Sequence, residues 1–197
     1  MKILHNATDY FGAFFTPPLH TGLRSGRYYC GPSGVTNTTT VLAANTIYYM
    51  PILIPERTTV VELGFIVSTV GTATLARTGL YRCAGGNLTA MAVPAEVSVS
   101  TTGNIAVTVS APVDPGTYLI ALLLNGTATI TCEVMTGPGG TGGIYSSVSG
   151  LNSPTDVLGS NLGLTTSYPY AALPGASVAA TTAVYGGNII PHMWYRV

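Results

Sequence analysis

Ile105-Ala-Val-Thr-Val-Ser-Ala111, followed two residues later by Asp114-Pro-Gly116 and then by Tyr118-Leu-Ile-Ala-Leu-Leu-Leu124, carries the strongest signal for the fold class. In the first segment Ile105, Val107 and Val109 point one way and Ala106, Thr108 and Ser110 the other, the period of a strand with one dry and one wet face. The second segment is apolar on both faces, which predicts a central strand covered on one side by a second sheet and on the other by a further body, read here as another subunit. Between them, Pro115 presets φ and Gly116 can take a positive one. Asn125-Gly126, just after the second segment, predicts a short hairpin.

Outward from this centre, short runs rich in Val, Ile, Thr and Tyr alternate with Gly, Pro, Asn and Asp. The predicted strands are Thr46–Ile54, Val60–Val70, Leu75–Cys83, Glu96–Thr101, Ile105–Ala111, Thr117–Leu124, Ala128–Val134 and Ile189–Val197. Eight strands suit an all-β, two-sheet antiparallel sandwich. Prolines 51, 55, 94 and 112 fall at or near strand ends, and Pro51 makes its strand an edge or a bulge. No segment has a helical period with a cap.

The flanks differ. Residues 1–43 hold the pairs Phe14-Phe15 and Tyr28-Tyr29 and a threonine-rich run, Thr36-Asn-Thr-Thr-Thr40, and read as an extended arm. Residues 44–197 form the sandwich domain, interrupted at about 136–188 by a Gly/Ser/Thr-rich insertion whose one charged residue is Asp156. The insertion cannot form a core alone, so neighbouring copies or other subunits are expected to clamp it and the arm.

Composition narrows the function. Seven basic and seven acidic residues cancel, and charged residues make up 7% of the chain, against roughly 25% in ordinary soluble domains. With one lysine, Lys2, and no basic cluster, the chain offers no footprint for nucleic acid or for an anionic membrane surface. Its best apolar run, Tyr118–Leu124, is far short of the ~20 residues of a spanning helix, so membrane insertion is not expected. Asp9 interrupts the N-terminal apolar stretch before it could serve as a signal-peptide core. Cys30, Cys83 and Cys132, odd in number and widely spaced, read as thiols of a protein made in a cytosol. Cys83 and Cys132 are expected in the core, and Cys30 exposed.

Signals for chemistry are weak. Gly137-Pro-Gly-Gly-Thr-Gly142 fits a dinucleotide fingerprint, but no helix follows it, and it reads as a loop. The four N-x-[ST] sequons, starting at Asn6, Asn37, Asn87 and Asn125, follow from the abundance of threonine. The histidines are His5, His20 and His192, and no acid and nucleophile are evidently paired with them. Among Asp9, Asp114, Asp156, Glu56, Glu62, Glu96 and Glu133 no carboxylate pair stands out for glycoside hydrolysis. Glu56 and Glu62 bracket Arg57 and are expected to be solvated or ion-paired there. No metal-ligand spacing occurs. The expectation is a non-enzymatic protein without a cofactor. Twelve tyrosines and one tryptophan exceed what a small sandwich needs inside. Tyr145, Tyr168, Tyr170, Tyr185 and Trp194 are the candidates for glycan or subunit contact.

The order of elements resembles a known module. Ala44-Asn-Thr-Ile-Tyr-Tyr-Met-Pro-Ile-Leu-Ile-Pro-Glu-Arg57, its partner Val60–Val70, Thr78-Gly-Leu-Tyr-Arg82, Ile105–Ala111, Asp114-Pro-Gly-Thr-Tyr-Leu-Ile120 and the closing Asn188-Ile-Ile-Pro-His-Met-Trp-Tyr-Arg-Val197 are similar to a β-sandwich of tailed-bacteriophage virion proteins, of the tail-fibre or head-spike type. The match covers roughly 44–134 and the last strand. It implies a jelly-roll-like fold and a structural subunit of the virion, made in the host cytoplasm and assembled as a homo-oligomer, a trimer by preference. Residues 1–43 would dock on other virion proteins. The alternative it leaves open is a host-receptor or glycan-binding module. The shared positions are turns and core, so no functional residues carry over. Without repeats or heptads, a short head spike, decoration protein or tail tip fits better than a long fibre.

Overall fold

The computed structural model describes residues 22–30, 36–84, 87–134, 164–175, 178–179, 184–185 and 189–197. Fifteen strands run through these residues: β1 (Tyr28–Cys30), β2 (Thr36–Leu42), β3 (Thr46–Ile54), β4 (Thr58–Thr69), β5 (Leu75–Ala84), β6 (Asn87–Ala92), β7 (Val97–Ser98), β8 (Gly103–Val113), β9 (Gly116–Leu124), β10 (Ala128–Val134), β11 (Leu164–Ser167), β12 (Val178–Ala179), β13 (Val184–Tyr185), β14 (Ile189–Pro191) and β15 (Met193–Arg196). No helix occurs among the described residues.

The protein is an all-β sandwich of two antiparallel sheets. Eight strands form its frame, β2-β10-β4-β8 in one sheet and β3-β9-β5-β6 in the other. Counted among themselves, these run 1-8-3-6 and 2-7-4-5, the strand order of a jelly roll. A constant register underlies it. Leu42 pairs with Ala128, Ile47 with Leu123, Ile54 with Gly116 and Phe65 with Ile105, so that residue i faces residue 170 − i. Bulges between Val60 and Glu62 and between Leu80 and Tyr81 shift the sum by one, and the ladder closes at Ala84 and Asn87. The frame is one long hairpin folded over on itself.

Two of its strands were not foreseen. β2 lies inside the stretch read as an arm, and its seven residues pair with all of β10. β6 pairs with β5 where no strand was predicted, while the expected Glu96–Thr101 strand shrinks to β7. The Asn125-Gly126 hairpin is also corrected: β9 and β10 belong to different sheets. A type I′ turn needs positive φ at both central residues, and Asn45 is the one described non-glycine with positive φ. Asn125 braces the crossing instead. Its Oδ1 accepts from the backbone amides of Thr74 and Leu75 at 2.9 and 3.0 Å.

The main core lies between the sheets, built from Leu63, Phe65 and Val67 of β4, Met50, Ile52 and Ile54 of β3, and Tyr118, Ile120, Leu122 and Leu124 of β9. At the β8–β9 crossing the Tyr118 hydroxyl donates to the Asp114 carbonyl at 2.8 Å, as in the tyrosine corner of other sandwiches. The opposite face of β9, Leu119, Ala121 and Leu123, packs with Ile47, Tyr49, Tyr81 and Leu88 under Leu173, Tyr168 and Tyr170. Here the second cover of the central strand comes from this chain itself, where another subunit was expected. The strap is fixed by the Tyr81 hydroxyl donating to the Pro174 carbonyl at 2.8 Å and by Asn45, which takes the amides of Tyr168 and Tyr170. β3 pairs with β11 only from Thr46 to Tyr49. Pro51 lies beyond that point, where no described strand needs its missing N–H.

The last predicted strand is broken at His192. β10 touches β4 at Thr129 and Ile130 and then parts from it. β14 follows β10 and β15 follows β4 into the fork, and β1 adds to the far side of β15. The His192 amide donates to the Thr131 carbonyl at 2.9 Å.

Candidate functional site

The alternation of β4 and β15 sends Leu63, Phe65, Met193 and Tyr195 inward. It leaves Glu62, Gly64 and Ile66 and, beside them, His192, Trp194 and Arg196 on the outer face. Register then builds the site row by row. Trp194 stands between Cys30 and Gly64, and Gly64 is opposite Ala106. In the next row Arg196 stands between Tyr28 and Glu62; on the other side Ile66 pairs with Asn104.

Glycine and alanine at the middle of the floor leave room for a large ring. The Trp194 indole fills it so closely that a Cβ on Gly64 would lie 2.1 Å from its Cζ2. Glycine in a strand interior is unfavourable unless something approaches its backbone, and here the indole does. Tyr28, 62% exposed, meets Trp194 edge to face with ring centroids 5.0 Å apart. The Arg196 guanidinium lies 5.9 Å from the centre of the Tyr28 ring and donates from Nη2 to Glu62 Oε2 at 2.7 Å. That hydrogen bond raises the pKa of Arg196 and holds its charge beside the carboxylate. Behind this face Tyr29 stacks on Tyr195 at 5.5 Å, and burial raises the Tyr195 pKa.

The result is an open groove of about 390 Å³ lined by Tyr28, Glu62, Ile66, Asn104, His192 and Trp194, among others. Ligand sites commonly measure ~300–1,000 Å³ and combine aromatic walls with a few placed polar groups. The groove has both. It offers an indole platform, a carboxylate and an amide, the equipment to stack a flat apolar face and bond the polar groups around its edge.

Of the sequence candidates, Trp194 stands in this groove. Tyr170 packs over the outer face of β9, its hydroxyl donating to Glu96 Oε2 at 3.2 Å and its ring 5.4 Å from Arg77. Tyr168 lies on the same cluster and donates to the Ala172 carbonyl at 3.1 Å. Tyr185 is in β13, opposite Leu164, and Tyr145 lies outside the described residues. Cys30 is exposed and Cys83 half-buried, with burial raising the Cys83 pKa.

Glu62 and Arg196 were not singled out for a site, and Arg57 does not pair with Glu62. Its Nε lies 3.6 Å from Asp114, while Glu56 accepts from the Leu23 amide. The available signal was the i, i+2 spacing of Glu62-Gly64-Ile66 and of Trp194-Arg196 against apolar neighbours. Among the described residues no group of three or more His, Cys, Asp and Glu is placed to hold a metal ion.

No family model and no curated protein matches the sequence. A solved structure of a clostridial cysteine protease, Cwp84, after propeptide cleavage, is similar at 12% identity with a TM-score of 0.42, over 82% of this chain and 40% of that one. This chain therefore spans less than half the length of that protein.

Proposed function

We propose that this chain is a non-enzymatic attachment module of a tailed-phage virion, assembled as a homo-oligomer and holding a host-surface saccharide in the Trp194 groove. The observation that carries the reading is the indole laid over Gly64, with Tyr28 beside it and Glu62 and Asn104 in the same groove. A pyranose ring has an apolar C–H face that stacks on such a platform and hydroxyls that planar carboxylate and amide groups bond. The assembly half of the reading draws on the charge-poor composition. A surface with so little charge is usually covered by partners.

A glycan array tests the binding half. The full chain is expected to be retained by a subset of host polysaccharides and the Trp194→Ala variant by none. Retention of neither, or of both equally, refutes a role for the groove. Light scattering tests the other half: a trimer is expected, and a monomer at micromolar concentration refutes homo-oligomeric assembly.

A further inference from the structure

We infer that the groove selects neutral pyranoses over acidic ones, and that Glu62 is the residue that sets this preference by cancelling the charge of Arg196. The inference rests on the saccharide reading above and narrows it to a ligand class.

The carboxylate of Glu62 lines the groove, and its Oε2 sits 2.7 Å from Nη2 of Arg196. Their side chains are 14% and 31% exposed, so both are partly desolvated yet still within reach of a ligand. An ionised carboxylate has about four acceptor sites and a guanidinium five donors. One bond between them cancels the charge and leaves acceptor sites on Glu62 for hydroxyl groups. Asn104, in the same lining, adds an amide. A neutral sugar hydroxyl can use all of these. A uronic or sialic acid gains less: its carboxylate would lose water beside a Glu62 charge that Arg196 already offsets, with no countercharge of its own. The cation that would otherwise clamp it in a bidentate pair is already taken. Arg196 is further held by β15 and by the Tyr28 ring, so it does not turn freely to a second anion.

The test uses the chain's single tryptophan, whose fluorescence reports on the groove without labelling. The full-length protein and the variants Glu62→Gln and Glu62→Gln/Arg196→Gln are titrated with two matched pairs, methyl β-glucoside against methyl β-glucuronide and methyl β-galactoside against methyl β-galacturonide. Saturation-transfer NMR serves as a second readout, and circular dichroism checks the fold of each variant.

In the unaltered protein a neutral member is expected to bind at least about tenfold tighter than its acidic twin, the difference one charge-assisted contact makes. Glu62→Gln, which leaves the Arg196 charge uncompensated beside the groove, should reverse the order within the pair. The double variant should return to no acidic preference. An unaltered protein that binds the uronides as well as the neutral sugars overturns the inference and leaves the saccharide reading standing. So does a Glu62→Gln protein that keeps the neutral preference. If no sugar of either kind registers by fluorescence or NMR, the saccharide reading falls and this inference with it.

Discussion

Replacing Gly64 by alanine tests whether the groove floor is built around the indole. The added Cβ would lie 2.1, 2.4 and 2.5 Å from Cζ2, Cε2 and Cη2 of Trp194, where carbon atoms normally rest about 3.5–4.0 Å apart. The ring must therefore retreat by more than about 1 Å. The backbone on both sides cannot give way, because β15 is paired with β4 from Met193 to Arg196 and with β1 from Cys30 to Tyr28. The side chain of Trp194 is left to swing outward. A tryptophan typically buries ~200 Å²; exposing about half of that costs about 2.5 kcal/mol at ~25 cal/mol/Å². Alanine in place of glycine returns about 0.5–1 kcal/mol of chain entropy. The net loss is about 2 kcal/mol, or ~4–8 °C in Tm for a chain of this size. In the same sample the tryptophan emission should move to the red and become more open to acrylamide quenching, and sugar binding should vanish. Denaturant unfolding, thermal melting and emission spectra measure all three effects. An unchanged Tm with an unchanged emission maximum would refute the packing of Trp194 on Gly64.

Three further outcomes are expected. Asn125→Ala removes the acceptor of the Thr74 and Leu75 amides and the donor to the Thr74 hydroxyl, which should cost about 2–3 kcal/mol in urea unfolding; a loss below 0.5 kcal/mol would mean the crossing is held otherwise. Tyr81→Phe frees the Pro174 carbonyl and should raise the rate of proteolytic cleavage within residues 168–175, with about 1 kcal/mol lost overall; an unchanged cleavage rate would show that the strap is fixed without this bond. Burial pushes the hydroxyl of Tyr49 up to about 12 and raises Tyr81, Tyr118 and Tyr195 as well. Between the ordinary tyrosine pKa and these raised values the folded chain keeps protons that the unfolded chain has lost, so stability should hold to about pH 10 and then fall, by up to ~1.4 kcal/mol per pH unit for each such tyrosine. Denaturant midpoints from pH 7 to 12 check this, and a flat profile refutes it.

The parts of the fold legible in the sequence are those where side chains meet one environment per face. β3 and β10 run over the same residues as predicted, because Thr46–Ile54 and Ala128–Val134 have β-branched or aromatic residues at most positions. β2 was hidden by four threonines and an asparagine in seven residues, which look like a polar arm until β10 pairs with every one of them. β6, Asn-Leu-Thr-Ala-Met-Ala, has a single strong strand former, Thr89, and is held by the ladder it completes. The Asn-Gly signal misled because hairpin statistics describe neighbours in one sheet, and here the chain changes sheets. The site was half legible. Trp194 and the Tyr28-Tyr29 pair stand out as aromatic surface, yet Gly64 and Glu62 gain their meaning only from pairing with residues about 130 positions later, and a single sequence does not carry that register.

That register also explains why the groove can be rigid. The eight-strand frame spans residues 36–134 as one folded hairpin, and none of its residues supplies the indole. Trp194 comes from β15, which occupies the fork that opens where β10 leaves β4. Such an added strand could be a loose edge, but its alternation ties it to both sides. Met193 and Tyr195 are buried in the core, while Trp194 and Arg196 lie on the outer face. A slip of one residue would put the tryptophan and the arginine inside and expose the methionine and the tyrosine. The core contacts that fix the register of β15 therefore fix the position of the platform as well. A ligand bound at Trp194 would then be coupled to the stability of the sandwich through one strand. A sugar that occupies the groove should protect the amides of β15 from hydrogen exchange, and those of β4 opposite it, more than any amide of β3 or β9.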